Sequence, residues 1–330
     1  MRTECTVAGV RAALRGPRLA ERSIGLVPTM GALHEGHLSL VRRAREECDV
    51  VVVSLFVNPA QFEEAADLAA YPRDEARDAD RAAAAGADIL FAPPVDEVYP
   101  PGFSTTVRVA GLTEHLEGAH RGTAHFEGVA TVVTKLLNMV GPDVAYFGQK
   151  DAQQAAVIRR LAADLDLPVR IATCPTVRDA DGLALSSRNV HLRGADRERA
   201  LALKRGLDAA AGAVAAGERD AGAIEEAGRA AMARLGVEPE YLAVGAAEVD
   251  VAARQREAVG VPHRRTGRDA HREIEVRGEP ADDRRLLRVL LSEVGDVGAD
   301  HVQQLRDDGG DAFEVGGAAV GSLEVLGEPG

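Results

Sequence analysis

SIGLVPTMGALHEGHLSLVRRAREECDVVVVSLFV, residues 23–57, reads as strand, turn, helix and strand. Its opening, 23–30, is a short buried strand running into a turn. Leu38, Val41 and Ala44 then recur at helical spacing and predict a helix over 34–47. Residues 49–57, DVVVVSLFV, form a continuous run rich in β-branched residues, the pattern of a strand covered on both faces. Asn58-Pro59 ends it. The alternation continues outward. Residues 73–85 are helical, 88–92 make a third strand stopped by Pro93-Pro94, and 127–140 make a helix stopped by Gly141-Pro142. Residues 144–147, 151–165 and 169–173 follow as strand, helix and strand. This order predicts βαβ units and an α/β fold with a doubly wound parallel sheet. Such sheets bind ligands at the carboxyl ends of their strands. The loops richest in chemistry, 28–37, 58–61, 148–151 and 176–188, all follow strands.

The chain around this stretch has 330 residues, with 39 Lys plus Arg against 52 Asp plus Glu, a net charge of −13. That length predicts two domains with an extra tail; the 46% hydrophobic content excludes a wholly disordered chain. The acidic balance argues against nucleic-acid binding. No apolar run approaches the ~20 residues of a membrane span. The first residues, MRTECTVAGVRAALRG, lack a continuous apolar core, so no secretory signal is expected. Three distant cysteines, Cys5, Cys48 and Cys174, fit a reducing cytoplasm better than a disulfide framework or a zinc site. Only Lys135, Lys150 and Lys204 are lysines, so a lysine at a motif position carries weight.

Beyond about residue 190 the style changes. Residues 195–216 and 221–235 are Ala-rich and helical, and 241–244 reads as a strand beginning a smaller domain. Residues 244–330 contain no Tyr, Trp, Met or Lys and one Phe, Phe313. Within them 286–294 is read as a helix.

His34 and His37, at i and i+3, share one side of a helix's first turn. The helix start offers free N–H groups and a positive dipole end, and Gly36 allows close approach, so the loop suits an anion. A surface pair or a metal pair are the other readings. GQKD at 148–151 follows a strand and opens a helix. Asp151 fits an N-cap, while Lys150 stands where a phosphate would lie. Ser186, Ser187 and Arg188 make a phosphate clamp or a solvated turn. Gln61, Gln154 and Asn58 can recognise a polar substrate, or be merely exposed. GxxxxGK[ST], GxGxxG and GxSxG are all missing from the chain.

PTMGALHEGHLSLV (28–41), SLFVNPAQF (54–62), YPRD (71–74), HFEGVATVVTKLLN (125–138), FGQKDAQQ (147–154) and PTVRDADGLALSSRN (175–189) together resemble the pantothenate synthetase family, the pantoate–β-alanine ligases. The resemblance is nearly continuous over 20–243. HxGH alone is shared with the wider nucleotidyltransferase and class I aminoacyl-tRNA synthetase group. The resemblance implies a Rossmann-like ATP- and pantoate-binding domain over 1–180, the start of a smaller α+β lid domain over 181–243, and a homodimer. It implies ATP-dependent joining of (R)-pantoate to β-alanine through pantoyl adenylate, with magnesium, releasing AMP and pyrophosphate. Met30, Gly31, Ala32, Leu33, His34, Glu35, Gly36 and His37 then line the ATP site, with His37 the proton donor. Gly148, Gln149, Lys150, Asp151 and Val177 bind the nucleotide, Asp151 at the ribose. Leu185, Ser186, Ser187 and Arg188 close over the triphosphate, as the synthetase KMSKS loop does. Gln61 and Gln154 hold pantoate, with Asn58, Tyr71 and Arg121 further site residues and Asp78 the magnesium ligand.

The chain departs from the family at Gln149, where glutamate is common, at Leu185, where methionine is common, and from residue 244 on. There the family's closing Arg-Leu-Ile-Asp-Asn-like strand is missing. A frameshifted end in a GC-rich gene is the first reading and a genuine added segment its rival. Two other functions compete: another HxGH nucleotidyltransferase, and a non-catalytic nucleotide-binding remnant.

Overall fold

The computed structural model describes residues 1–62, 65–246, 287–293 and 319–324. The chain opens with β1 (Arg2–Glu4) and α1 (Val7–Leu19), whose N-cap Thr6 accepts from the Gly9 N–H at 3.0 Å. Then come β2 (Ile24–Thr29), α2 (Glu35–Glu47) and β3 (Val50–Leu55). After a 3-10 turn over Pro59–Gln61 follow α3 (Ala65–Ala70), α4 (Glu75–Ala85), β4 (Ile89–Phe91) and α5 (Val95–Val98). The long α6 (Glu117–Val140) kinks at Gly122. It leads to β5 (Val144–Gly148), α7 (Ala152–Asp164) and β6 (Arg170–Cys174).

These strands build one parallel sheet in the order β1-β4-β3-β2-β5-β6. Alternation along each strand makes its two faces. Ile24, Leu26, Val50, Val52, Ile89 and Phe91 pack with α1, α6 and α7. Val27, Val51, Val53 and Leu90 pack with Leu40, Val41 and Ala44 of α2 and Ala82 of α4. Full burial of each such side chain is worth about 1.5–3 kcal/mol, so both layers of helices are held to the sheet by the same run. The strand order switches between β2 and β5: β3 and β4 are laid down on one side of β2, β5 and β6 on the other. The loops after β2 and β5 therefore flank the switch crevice, where doubly wound sheets bind ligands.

Past the sheet, α8 (Gly194–Ala215) and α9 (Ala221–Ala233) pair around Ala202, Leu207, Ile224 and Met232. Then β7 (Gly245–Ala246), β8 (Leu287–Glu293) and β9 (Ala319–Glu324) form an antiparallel sheet. Two expectations are corrected here. Residues 241–244 are irregular, and the strand begins only at Gly245. The segment read as a helix over 286–294 is β8: a short apolar run fits either state, and antiparallel pairing with β9 selects the strand. β1 and α1 give no clear signal in the sequence, because the strand is three polar residues and the helix carries Gly16 and Pro17. Most of 244–330, and with it the choice between a frameshift and an added segment, lies outside the described residues.

Candidate active site

The loop from β2 to α2 turns on two positive backbone angles, φ +91° at Gly31 and +48° at Ala32. Left-handed φ at a residue other than glycine costs energy and needs outside support. Asp78 of α4 supplies it. Its carboxylate, 2% exposed, accepts from the Ala32 and Leu33 N–H groups, each at 2.8 Å. Arg81, one turn later, donates to the Leu33 carbonyl. Asp78, expected as the magnesium ligand, is thus buried as the clamp of this loop. Among the described residues no three His, Cys, Asp or Glu cluster as a metal cage.

His34 caps α2: its Nδ1 accepts from the Gly36 N–H at 3.1 Å, and the His37 Nδ1 accepts from the His34 N–H at 3.4 Å. A Cβ on Gly36 would sit 2.8 Å from the His34 ring, so glycine permits the fold-back. The ring centroids are 4.1 Å apart. With both Nδ1 atoms accepting, each neutral ring keeps its proton on Nε2 as a remaining donor. Burial, followed by the Lys150 ammonium, pushes His34 down to about 4. Burial, then His34 and Lys150, pushes His37 down to about 3. Both are neutral donors at pH 7. Glu35 turns away to pair with Arg42 and leaves only its backbone at the loop.

Lys150 arrives from the other side of the crevice, on a 3-10 turn over Gln149–Asp151 that follows β5 and Gly148. Its side chain is 17% exposed, and its ammonium meets the Asp151 carboxylate at 2.9 Å. Asp151 occupies the N-cap position of α7 but makes no side-chain cap bond among the described residues. The capping expectation is therefore corrected: its carboxylate serves Lys150. Residues 177–185 form a hairpin, with the Leu185 N–H donating to the Val177 carbonyl at 3.0 Å. Arg197 of α8 holds it through Asp179 (2.6 Å) and Asp181 (2.8 Å). The hairpin lays Leu185 against Gly36, 3.8 Å from where a Cβ would stand. Ser186 then caps the next turn by accepting from the Arg188 N–H at 3.3 Å, and Ser187 Oγ lies 3.5 Å from the buried Tyr71 hydroxyl. Histidines, Lys150 and the serine turn therefore converge, although they are far apart in sequence.

The loop after β3 is built differently. Asn58, expected to touch substrate, is 1% exposed and engaged inside the protein. Its Nδ2 donates to Gln61 Oε1 (2.8 Å) and the Gly128 carbonyl (3.1 Å), and its Oδ1 accepts from the Tyr99 hydroxyl (2.8 Å). Asn58 is a support behind Gln61, which corrects the expectation. The Pro59–Gln61 turn lies so close on α6 that a Cβ at Gly128 would stand 2.2 Å from the Ala60 carbonyl oxygen. Gln154 is half-buried at the start of α7. Its neighbour Gln153, which the sequence does not single out, ties α7 to the start of α6 through Leu112, His115 and Glu117. Arg121 pairs with the buried Glu117 at 2.6 Å, and burial raises that carboxyl above its usual range.

Comparisons with known proteins place the chain in a family. A family profile described as pantoate–β-alanine ligase matches residues 2–264. The pantothenate synthetase of Cereibacter sphaeroides is 54% identical over 245 residues, 74% of this chain and 87% of that protein. The crystal structure of pantothenate synthetase from Thermus thermophilus superposes with a TM-score of 0.75 at 39% identity, covering 98% of this chain and 99% of that one. The Francisella tularensis pantoate–β-alanine ligase, solved with β,γ-ATP and β-alanine, gives 0.64 at 35% identity, covering 73% and 88%.

Proposed function

The chain belongs to the pantoate–β-alanine ligase family, and we propose that it condenses (R)-pantoate with β-alanine at the expense of ATP, with the following division of labour. A pantoate carboxylate oxygen attacks the α-phosphorus, the bond to pyrophosphate breaks, and pantoyl adenylate forms. The amine of β-alanine then attacks the acyl carbon, loses a proton, and AMP leaves. ATP, pantoate and the departing pyrophosphate are all anionic, so positioning and fixed donors carry the catalysis.

The observation that carries this reading is the meeting of His34, His37 and Lys150 at the switch of the sheet, with the two imidazole rings 4.1 Å apart. In the proposal Met30–His37 cradle ATP, and His34 and His37 donate from Nε2 to phosphate oxygens. Lys150 holds the leaving charge, and Gly148, Gln149, Asp151 and Val177 seat the nucleoside. Leu185, Ser186, Ser187 and Arg188 close over the triphosphate. Gln61 and Gln154 hold pantoate, Gln61 also facing β-alanine, with Tyr71 and Arg121 at the margin. Magnesium is proposed as the ion of ATP. With no carboxylate cluster among the described residues, phosphate oxygens and water would make up most of its shell. The division of labour between 1–180, 181–243 and 244–330, a homodimer and a cytoplasmic setting belong to the same proposal. Sparse cysteines support the last, and among the described residues no helix is long and apolar enough to cross a membrane.

Exchange of labelled pyrophosphate into ATP by the purified chain with magnesium tests the first half-reaction. Exchange that requires pantoate is expected. ATP binding without pantoate-dependent exchange would overturn the ligase reading in favour of a nucleotide-binding remnant.

A further inference from the structure

Gln61 is useful to an anionic substrate only if its amide presents N–H rather than oxygen. Its own two-residue neighbourhood does not decide that, since a glutamine amide can turn by half a revolution at little cost. The decision is made behind it. Gln61 Oε1 accepts from Asn58 Nδ2 at 2.8 Å, which leaves the Gln61 NH2 for other partners. Asn58 cannot turn in its place, because its other N–H points at the Gly128 carbonyl and its Oδ1 receives the Tyr99 hydroxyl at 2.8 Å. The Ala60 N–H reaches the same oxygen only at 3.4 Å. Tyr99 is therefore the short donor to the carbonyl oxygen of a 1%-exposed residue. Its ring is wedged between Phe56 and Phe103, at centroid distances of 6.0 and 5.2 Å.

We propose that Tyr99 is a positioning residue: its hydroxyl fixes the Asn58 amide, and Asn58 fixes which end of Gln61 meets the pantoate carboxylate. Tyr99 is far from Gln61 in sequence and, in this reading, touches no reacting atom. Burial holds its hydroxyl up at about 12, so it stays a donor across the range in which the enzyme works. The inference rests on the reading of Gln61 as a pantoate residue.

Tyr99→Phe keeps the ring and removes only the hydroxyl. Paired with Gln61→Ala and the double variant, it tests both layers in the pantoate-dependent exchange assay. Tyr99→Phe is expected to raise KM for pantoate about tenfold, the loss of one net hydrogen bond, with kcat and KM for ATP unchanged. In the Gln61→Ala background the same change should add nothing, because the amide it orients is gone. A Tyr99→Phe effect that persists in that background, or that falls equally on ATP, would mean a merely structural role and overturn the proposal. Unchanged pantoate KM in Tyr99→Phe, with a raised one in Gln61→Ala, would sink the Tyr99 inference alone. Unchanged pantoate KM in Gln61→Ala would sink the reading of Gln61 as well.

Discussion

β2 and β3 are hydrogen-bonded neighbours, yet they deliver their site residues by different physics. The loop after β2 is strained, closes on itself through two histidines, and is clamped by a buried carboxylate. The turn after β3 holds no charge: it is set by an amide, a hydroxyl and a helix carbonyl. The first arrangement suits a triphosphate, whose charge needs dipoles and cations. The second suits a small hydroxy acid, which needs orientation more than field. Charged machinery should therefore fail in rate and neutral machinery in affinity.

Lys150→Ala probes that contrast hardest. Removing a preorganised charged donor from a transferring phosphoryl group costs about 10²–10³ in kcat. We expect a loss of that size in pantoate-dependent exchange, with KM for pantoate little changed. Lys150 faces the loop after β2 from the far side of the crevice, so a fall mainly in pantoate affinity would erase the distinction between the phosphate side of the crevice and the turn after β3. Asp78→Asn comes next. An asparagine can accept from only one of the Ala32 and Leu33 N–H groups and turns its own NH2 on the other. A buried donor left unpaired costs about 1–3 kcal/mol, so urea unfolding should show a loss of that order. Exchange should fall with it, since Ala32 would lose its support at φ +48°. Unchanged stability would show that the loop holds its shape without the clamp.

Much of this was legible in the sequence, for identifiable reasons. The run over 49–57 reads as a doubly covered strand, and HEGH at a strand-to-helix turn suggests an anion site, but that its two histidines cap the helix shows only in the folded chain. Gln61 was legible as a motif residue. What fixes it was not, because Asn58, Tyr99 and Gly128 come from three elements and meet only in the folded chain. Asp78 misleads for the same reason: a carboxylate near a triphosphate motif looks like a metal ligand until its backbone partners are seen. Residues 286–294 mislead differently, since Leu287, Val289, Leu290 and Leu291 fit either period and only the partner strand chooses.

The last expected effect is one of pH. In the unfolded chain both histidines titrate near 6.5, whereas the folded chain holds His34 at about 4 and His37 at about 3. Between those values the unfolded chain binds more protons. The stability contributed by keeping these rings neutral is complete above about pH 6.5 and drains as pH falls toward the folded values, by up to about 1.4 kcal/mol per pH unit for each ring. A His34→Asn/His37→Asn variant should therefore show a shallower fall of Tm between pH 6.5 and 4 than the parent, whatever its stability at pH 7. Gln61→Ala, which alters only the neutral turn, should keep the parent's slope. If the histidine variant kept that slope too, the loop after β2 would be as indifferent to protons as the turn after β3. The contrast between them would then lie in strain alone.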